Sequence, residues 1–221
     1  MRPIFAAALL VAAGATTAPL IARTAPPLSE VPGAHDPQRV KAGRYSADPH
    51  HTLVQWRVDH LGFTPYFGLF GDVTGTLEID PQRLSQAKVD VSIPVSKVTT
   101  ASAGLTAHLL KPPAVTGDLP DFFGGAPEPA RFVSTTVKVT GKTKAQVTGD
   151  LTLNGVTRPV TLNARFYGAG AMPADMGGQE NLGFEATAAI RRSDFGLGYS
   201  VPLVSDVVTL DIAAAFIKDA P

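Results

Sequence analysis

Apolar and polar side chains alternate through residues 54–60, again through 147–153, and again through 208–216. A period of two over segment after segment, with turn residues between, predicts antiparallel strands that turn one face to a core and the other to water. Parity sorts the faces, because side chains alternate sides along an extended chain. Val54, Trp56, Val58 and His60 share one side of the first long strand, and Gln55, Arg57 and Asp59 the other. The next apolar row takes Phe67, Leu69, Val73, Leu77 and Ile79, with Gly68, Gly71 and Gly75 marking bends or a bulge. Val89, Val91, Ile93 and Val95 form a third row. Later rows are Val133, Val137 and Val139; Val147, Leu151 and Leu153; Val156, Val160, Leu162 and Phe166; Phe184 and Ile190 with alanines between; and Val208, Leu210, Ile212 and Phe216. Asn154-Gly155 between two rows predicts a type I′ hairpin. The pattern is that of an all-β chain, and a closed or nearly closed barrel is its natural outcome.

Residues 102–110 depart from it. Leu105, His108 and Leu109 stand at helical spacing, which predicts a short helix. Pro112-Pro113 end it, and a Gly- and Pro-containing loop follows with Phe122-Phe123 at its centre. Two adjacent phenylalanines in a loop need apolar cover. They either plug one end of the core or form a lid over a cavity. A second long loop is expected over residues 168–181, rich in Gly, Ala and Met.

The N-terminus reads differently again. One positive charge precedes a continuous apolar or small run over residues 4–13, and Ala13-Gly14-Ala15 supplies small residues for cleavage. This predicts a secretory leader over residues 1–15; residues 22–25 offer a second cleavage site. The run falls short of the about 20 residues that span a bilayer. Residues 16–42, broken by Pro26-Pro27, Pro32 and Pro37, are expected to be a flexible tether, and residues 43–218 one domain. The expected location is the periplasm.

Charge and composition then narrow the chemistry. Nineteen basic and nineteen acidic residues cancel, so the electrostatic drive for nucleic-acid binding is missing. A broad attraction to anionic lipid surfaces is unsupported for the same reason. There is no cysteine, which removes disulfides, thiolate catalysis and thiolate-bound metal. His51 and His60 fall on opposite strand faces and no H-x-H or H-E-x-x-H motif occurs, so no metal site is expected. No nucleophile elbow, phosphate-cradling loop or cysteine nucleophile is present, and the expectation is no enzymatic activity. Arg191 and Arg192 read as solvated surface charges, or as a border to a cavity mouth.

Several short blocks occur in a set order: Tyr45-x-x-Asp48-x-x-His51-Thr52, His60-Leu61-Gly62, Gly68-x-Phe70, Gly75-Thr76-Leu77, His108-Leu109 before Asp121-Phe122-Phe123, Gly149-Asp150-Leu151-Thr152-Leu153-Asn154-Gly155, and Arg192-Ser193-Asp194-Phe195-Gly196. Together they resemble the successive blocks of the YceI-like family of secreted polyisoprenoid-binding proteins. Leu105-Thr106 stands where many members carry Arg-Asp, and residues 112–117 are extra.

The resemblance implies a lipocalin-like, eight-stranded antiparallel β-barrel with a short helix and a covering loop, holding a polyprenyl lipid or a ubiquinone-like tail and no other cofactor. Small inward residues, Gly149, Ala164, Ala186, Ala188 and Ala214, would leave it room. The expected cavity and mouth contacts are Val54, Trp56, Val58, His60, Phe67, Leu77, Val91, Leu105, His108, Leu109, Phe122, Phe123, Leu151, Val160, Leu162, Phe184, Ile190, Phe195 and Leu210. His108 is placed either to hydrogen-bond a quinone carbonyl or to serve a structural role. The expected partner is an isoprenoid lipid, with transient membrane-surface contact. Whether the barrel is monomeric or a homodimer stays open. The alternative function is a filled barrel acting as an envelope stress-related interaction protein.

Overall fold

The computed structural model describes residues 30–220. Ten hydrogen-bonded segments follow in chain order: β1 (Gly43–Ala47), β2 (Leu53–His60), β3 (Thr64–Phe70), β4 (Thr74–Ile79), β5 (Lys88–Ile93), β6 (Ala130–Gly141), β7 (Lys144–Leu153), β8 (Val156–Ala171), β9 (Glu180–Arg191) and β10 (Val207–Lys218). Neighbours pair antiparallel, and both β1 and β2 pair with β10, β1 at Phe216–Lys218 and β2 at Thr209–Ala213. β1 and β2 are therefore two halves of one long strand. β3 and β4 likewise form one line, since β3 pairs with β2 and β4 with β1. Counted this way, eight strand lines close into an antiparallel barrel through the β1–β10 ladder.

The interruptions have local causes. Between β1 and β2 the backbone bulges through residues 48–52, and the Thr52 hydroxyl replaces the lost ladder bond by donating to the Ala215 carbonyl (3.0 Å) and accepting from its amide (3.1 Å). Asp48 braces the bulge, accepting from the His50 amide (2.9 Å) and the His51 ring (2.6 Å). Its partial burial would raise its carboxyl, but those hydrogen bonds hold it below the usual 3.8. The β7–β8 turn is the expected Asn154-Gly155 pair, both residues at positive φ.

Register places the side chains of two segments on faces other than those expected. Trp56 pairs with Gly68, and Val58 with Tyr66, so Gly68, Tyr66 and Phe70 point inward while Phe67 and Leu69 point out. The cause is bulk: a Cβ on Gly68 would lie 2.1 Å from the Trp56 ring, so the glycine is the inward residue that lets the indole lie down. In β6 a bulge between Ser134 and Thr136 shifts the alternation by one, so Phe132 joins Val137 and Val139 inside in place of Val133.

The boundaries of the irregular segments also move. Gly168 and Gly170 belong to β8, which leaves residues 172–179 as the β8–β9 loop. Gly170 is extended so that the Pro32 carbonyl can pass where a Cβ would stand, 2.1 Å away. Ala34 pairs with Ala169, and Val40 is buried beside Tyr45 and Leu182. Within the stretch read as a tether, residues 32–40 thus pack on the barrel. The expected leader over residues 1–15 lies outside the described residues.

Candidate functional site

Strand parity in a closed barrel aims one side chain in two at the axis, and here the inward residues leave a space. A cavity of ≈ 650 Å³ runs through the barrel, lined almost wholly by apolar side chains. That size lies within the about 300–1,000 Å³ typical of small-molecule sites. The interior is not filled by the protein's own atoms. Inward residues such as Val54, Val91, Leu162 and Leu210 remain partly accessible although they point at the axis.

Nearly all the expected contact residues meet there. Val54, Trp56, Val58 and His60 line it from β2, Leu77 and Val91 from β4 and β5, Leu151 from β7, Val160 and Leu162 from β8, Phe184 and Ile190 from β9, and Leu210 from β10. Leu105, His108 and Leu109, from the helix α1 (Ala103–Leu109), and Phe122 and Phe123, from the loop after it, line it too. Two of the expected residues do not. Phe67 lies outside, beneath the Arg57 guanidinium. Phe195 is buried, but in a 3-10 turn (Arg192–Phe195) that packs with Leu197 behind the cavity wall, its carbonyl accepting from Asn154 Nδ2 (3.0 Å).

One end of the barrel is roofed rather than laddered. The β5–β6 connection leaves the sheet at Pro94, forms α1, and returns at Ala130. Ser102 caps α1, its hydroxyl accepting from the Leu105 amide (3.2 Å). Beyond the helix, the Phe123 amide donates to Leu109 O (3.0 Å), which turns both loop phenylalanines toward the space. Phe123 meets Phe70 edge-on, with ring centroids 6.0 Å apart. Phe122, His108 and Tyr199 form a triangle of edge-to-face contacts, and His108 Nε2 is 2.8 Å from the Asp121 carboxylate. His108 therefore already has a protein partner.

Tyr199 belongs to the β9–β10 connection, which is held by Arg192: of its two expected roles, solvated surface charge is not met, whereas it does line the cavity. Arg192 is 6% exposed, and its guanidinium donates to the carbonyls of Ser205 (2.9 Å), Tyr199 (2.8 Å), Val204 (2.9 Å) and Leu197. Burial lowers its pKa, with Asp206 opposing. Asp206 accepts from the Ser193 amide and hydroxyl (2.9 Å each) and from Arg191 (3.3 Å); the Ser193 amide is the first reason its carboxyl sits below 3.8. Hydrophobicity patterning could not have found this arginine. Only the adjacent Ser193-Asp194 turn and Gly196 hinted that the backbone folds back around it.

Trp56 Nε1 is the one buried side-chain polar atom without a hydrogen-bond partner among the described residues. Pressing that edge of the indole onto Gly68 leaves the N–H no acceptor in an apolar wall.

A YceI-like domain matches residues 45–216. The chain belongs to the YceI-like family. Two curated relatives, UPF0312 proteins of Pseudomonas putida (strain W619) and Pseudomonas fluorescens (strain SBW25), are each 35% identical, over 180 and 183 residues. These cover 80% and 81% of this chain and 88% and 89% of theirs. Of solved structures, the Campylobacter jejuni YCEI protein matches with a TM-score of 0.57 at 25% identity, over 73% of this chain and 90% of its own. A polyisoprenoid-binding domain from Saccharophagus degradans matches with a TM-score of 0.55 at 13% identity, over 81% of this chain and 100% of its own. At that identity the likeness is one of fold. The YceI-like barrel here thus has a roofed apolar interior and no converging group of three or more His, Asp or Glu among the described residues.

Proposed function

We propose that the protein binds an isoprenoid lipid, a polyprenyl chain or the tail of a quinone, in the barrel and carries it through the periplasm unaltered. The observation that carries this reading is the ≈ 650 Å³ apolar cavity under a roof of aromatic side chains. The Saccharophagus degradans neighbour, described as a polyisoprenoid-binding domain, supports the ligand class. The export signal read from the first residues supports the compartment.

The energetics suit a long apolar guest. Each buried methylene contributes about 0.8 kcal/mol, so a five-carbon isoprene unit contributes roughly 3–4 kcal/mol before the costs of ordering and association. A few buried units suffice for useful affinity, and the head group becomes secondary. Protein recovered from its own periplasm without detergent, extracted with organic solvent and analysed by mass spectrometry, should release an isoprenoid lipid in near-stoichiometric amount. Protein that yields none, and takes up none when offered a polyprenol, would overturn the reading.

A further inference from the structure

The roofed end of the barrel carries a concentration of exposed apolar side chains. Phe63 (84% exposed) and Leu61 stand on the β2–β3 turn, Val201 and Leu203 on the β9–β10 loop, and Leu119 (90% exposed) on the roof loop. These three loops are joined to one another. The Leu61 amide donates to Leu203 O (2.8 Å), His60 bridges to Val204, and Phe122 packs against Tyr199. His60, His108, Phe122, Tyr199 and Val204, all within this group of loops, line the cavity. Other exposed apolar residues, among them Leu84, Val139, Tyr167 and Met176, stand singly on strands and other loops, whereas these five sit on connected loops around the roofed mouth.

Leu61 also holds a backbone conformation that leucine disfavours, φ +60, where glycine or asparagine would be unstrained. A bulky apolar residue is kept at a turn tip at a conformational cost and with no core to bury it. Exposed apolar clusters of this kind mark interaction surfaces.

From this we infer that the mouth rim docks on a lipid bilayer, inserting Phe63, Leu119 and Leu203 among the head groups while the cavity faces the acyl chains. The inference rests on the carrier reading, because a guest too apolar to cross water needs contact between donor membrane and cavity mouth. Three separate tips around an opening suit a deformable lipid surface. The rim's charges give no drive toward an anionic surface: the described loops 61–63, 110–129 and 198–204 carry one basic residue, Lys111, against Asp118, Asp121 and Glu128, with Asp59 and His60 just before the first loop and His108 paired to Asp121. Docking is therefore driven by apolar insertion and is insensitive to salt.

The test is flotation of the purified protein with vesicles of phosphatidylcholine alone. Wild type should rise with the vesicles equally at low and at high salt. The triple variant Phe63→Ser, Leu119→Ser, Leu203→Ser should partition at least about tenfold more weakly. The same variant should keep wild-type quenching of Trp56 by a soluble short-chain quinone, which shows that barrel and cavity are intact. Wild type that stays at the bottom, a triple variant that floats as wild type does, or binding that requires anionic lipid overturns the inference. So does sedimentation showing a wild-type dimer that the triple variant breaks, since the rim would then cover a second copy. Quenching absent from wild type too would sink the carrier reading instead, a result that flotation leaves separate.

Discussion

The strand line made of β3 and β4 is sealed in one half and not in the other. β4 is laddered on both edges, to β1 and to β5, whereas β3 is laddered only to β2. Beyond the free edge of β3 stands a single bridge, Leu69 to Thr99, and then the roof formed by α1 and its loop. Backbone hydrogen bonds close the first half, and Tyr45, Leu77, Ile79 and Phe216 pack against it. Side chains close the second, chiefly Phe70 against Phe123 and Phe122 against Tyr199. A barrel whose ladder is complete at one end and replaced by loops at the other has its stability and its access in different places.

The largest expected effect breaks this contrast if it fails. Tyr45 is fully buried in the sealed half, its hydroxyl donating to Lys41 O (2.7 Å). Tyr45→Ala should cost about 3–5 kcal/mol, read from urea unfolding. Phe123→Ala, whose ring borders a space already empty, should cost less than about half as much. Equal losses would mean that the roof carries as much of the fold as the ladder does.

Arg192→Met comes next. It leaves a group of loop carbonyls without their donor, and a loss of about 2–4 kcal/mol is expected, with faster hydrogen exchange of the amides in residues 196–206. Unchanged exchange would show that the loop holds its place without the guanidinium. Gly68→Val sharpens the picture from inside: the new side chain must displace the Trp56 ring, at a cost of about 1–3 kcal/mol and with a shift in tryptophan emission. Emission identical to wild type would refute the close packing of indole on glycine.

The smallest effect is electrostatic. The Asp206 carboxyl is depressed in the folded protein, so the stability it contributes is present above its unfolded value near 3.8 and is lost as pH falls through the lower folded value. Asp206→Asn should thus flatten the fall in melting temperature below about pH 4 and leave the curve above pH 5 parallel to that of wild type. A slope below pH 4 as steep as wild type's would remove Asp206 from the acid response.

Alternation made the barrel legible because inward and outward positions differ in solvation, and six of the eight strand lines kept their expected inner rows, the departures being the β3 half of one line and the shift in β6. The exceptions occur where another force outranks hydrophobicity. At Gly68 the volume of Trp56 decides the face, and Phe67, the more apolar residue, goes to water. The β6 bulge is a backbone event with no glycine to announce it. Arg192 is buried because carbonyls of a distant loop supply its hydrogen bonds, a tertiary arrangement that local patterning does not encode. Phe195 follows the same turn out of the cavity wall. The roof was legible in outline, as Leu105, His108 and Leu109 at helical spacing before paired phenylalanines, because these residues had no other apolar surface to cover.

The central claim is that the interior is an unfilled apolar space which an isoprenoid chain completes. Trp56 lines that space and is the chain's one tryptophan, so its emission reports occupancy. Titration with a short-chain quinone should quench it saturably in wild type, and the double variant Ala164→Leu, Ala186→Leu, which builds side chains into the space from β8 and β9, should abolish saturation while remaining folded. Linear, unsaturable quenching in wild type, or saturation undiminished in the filled variant, would contradict the account.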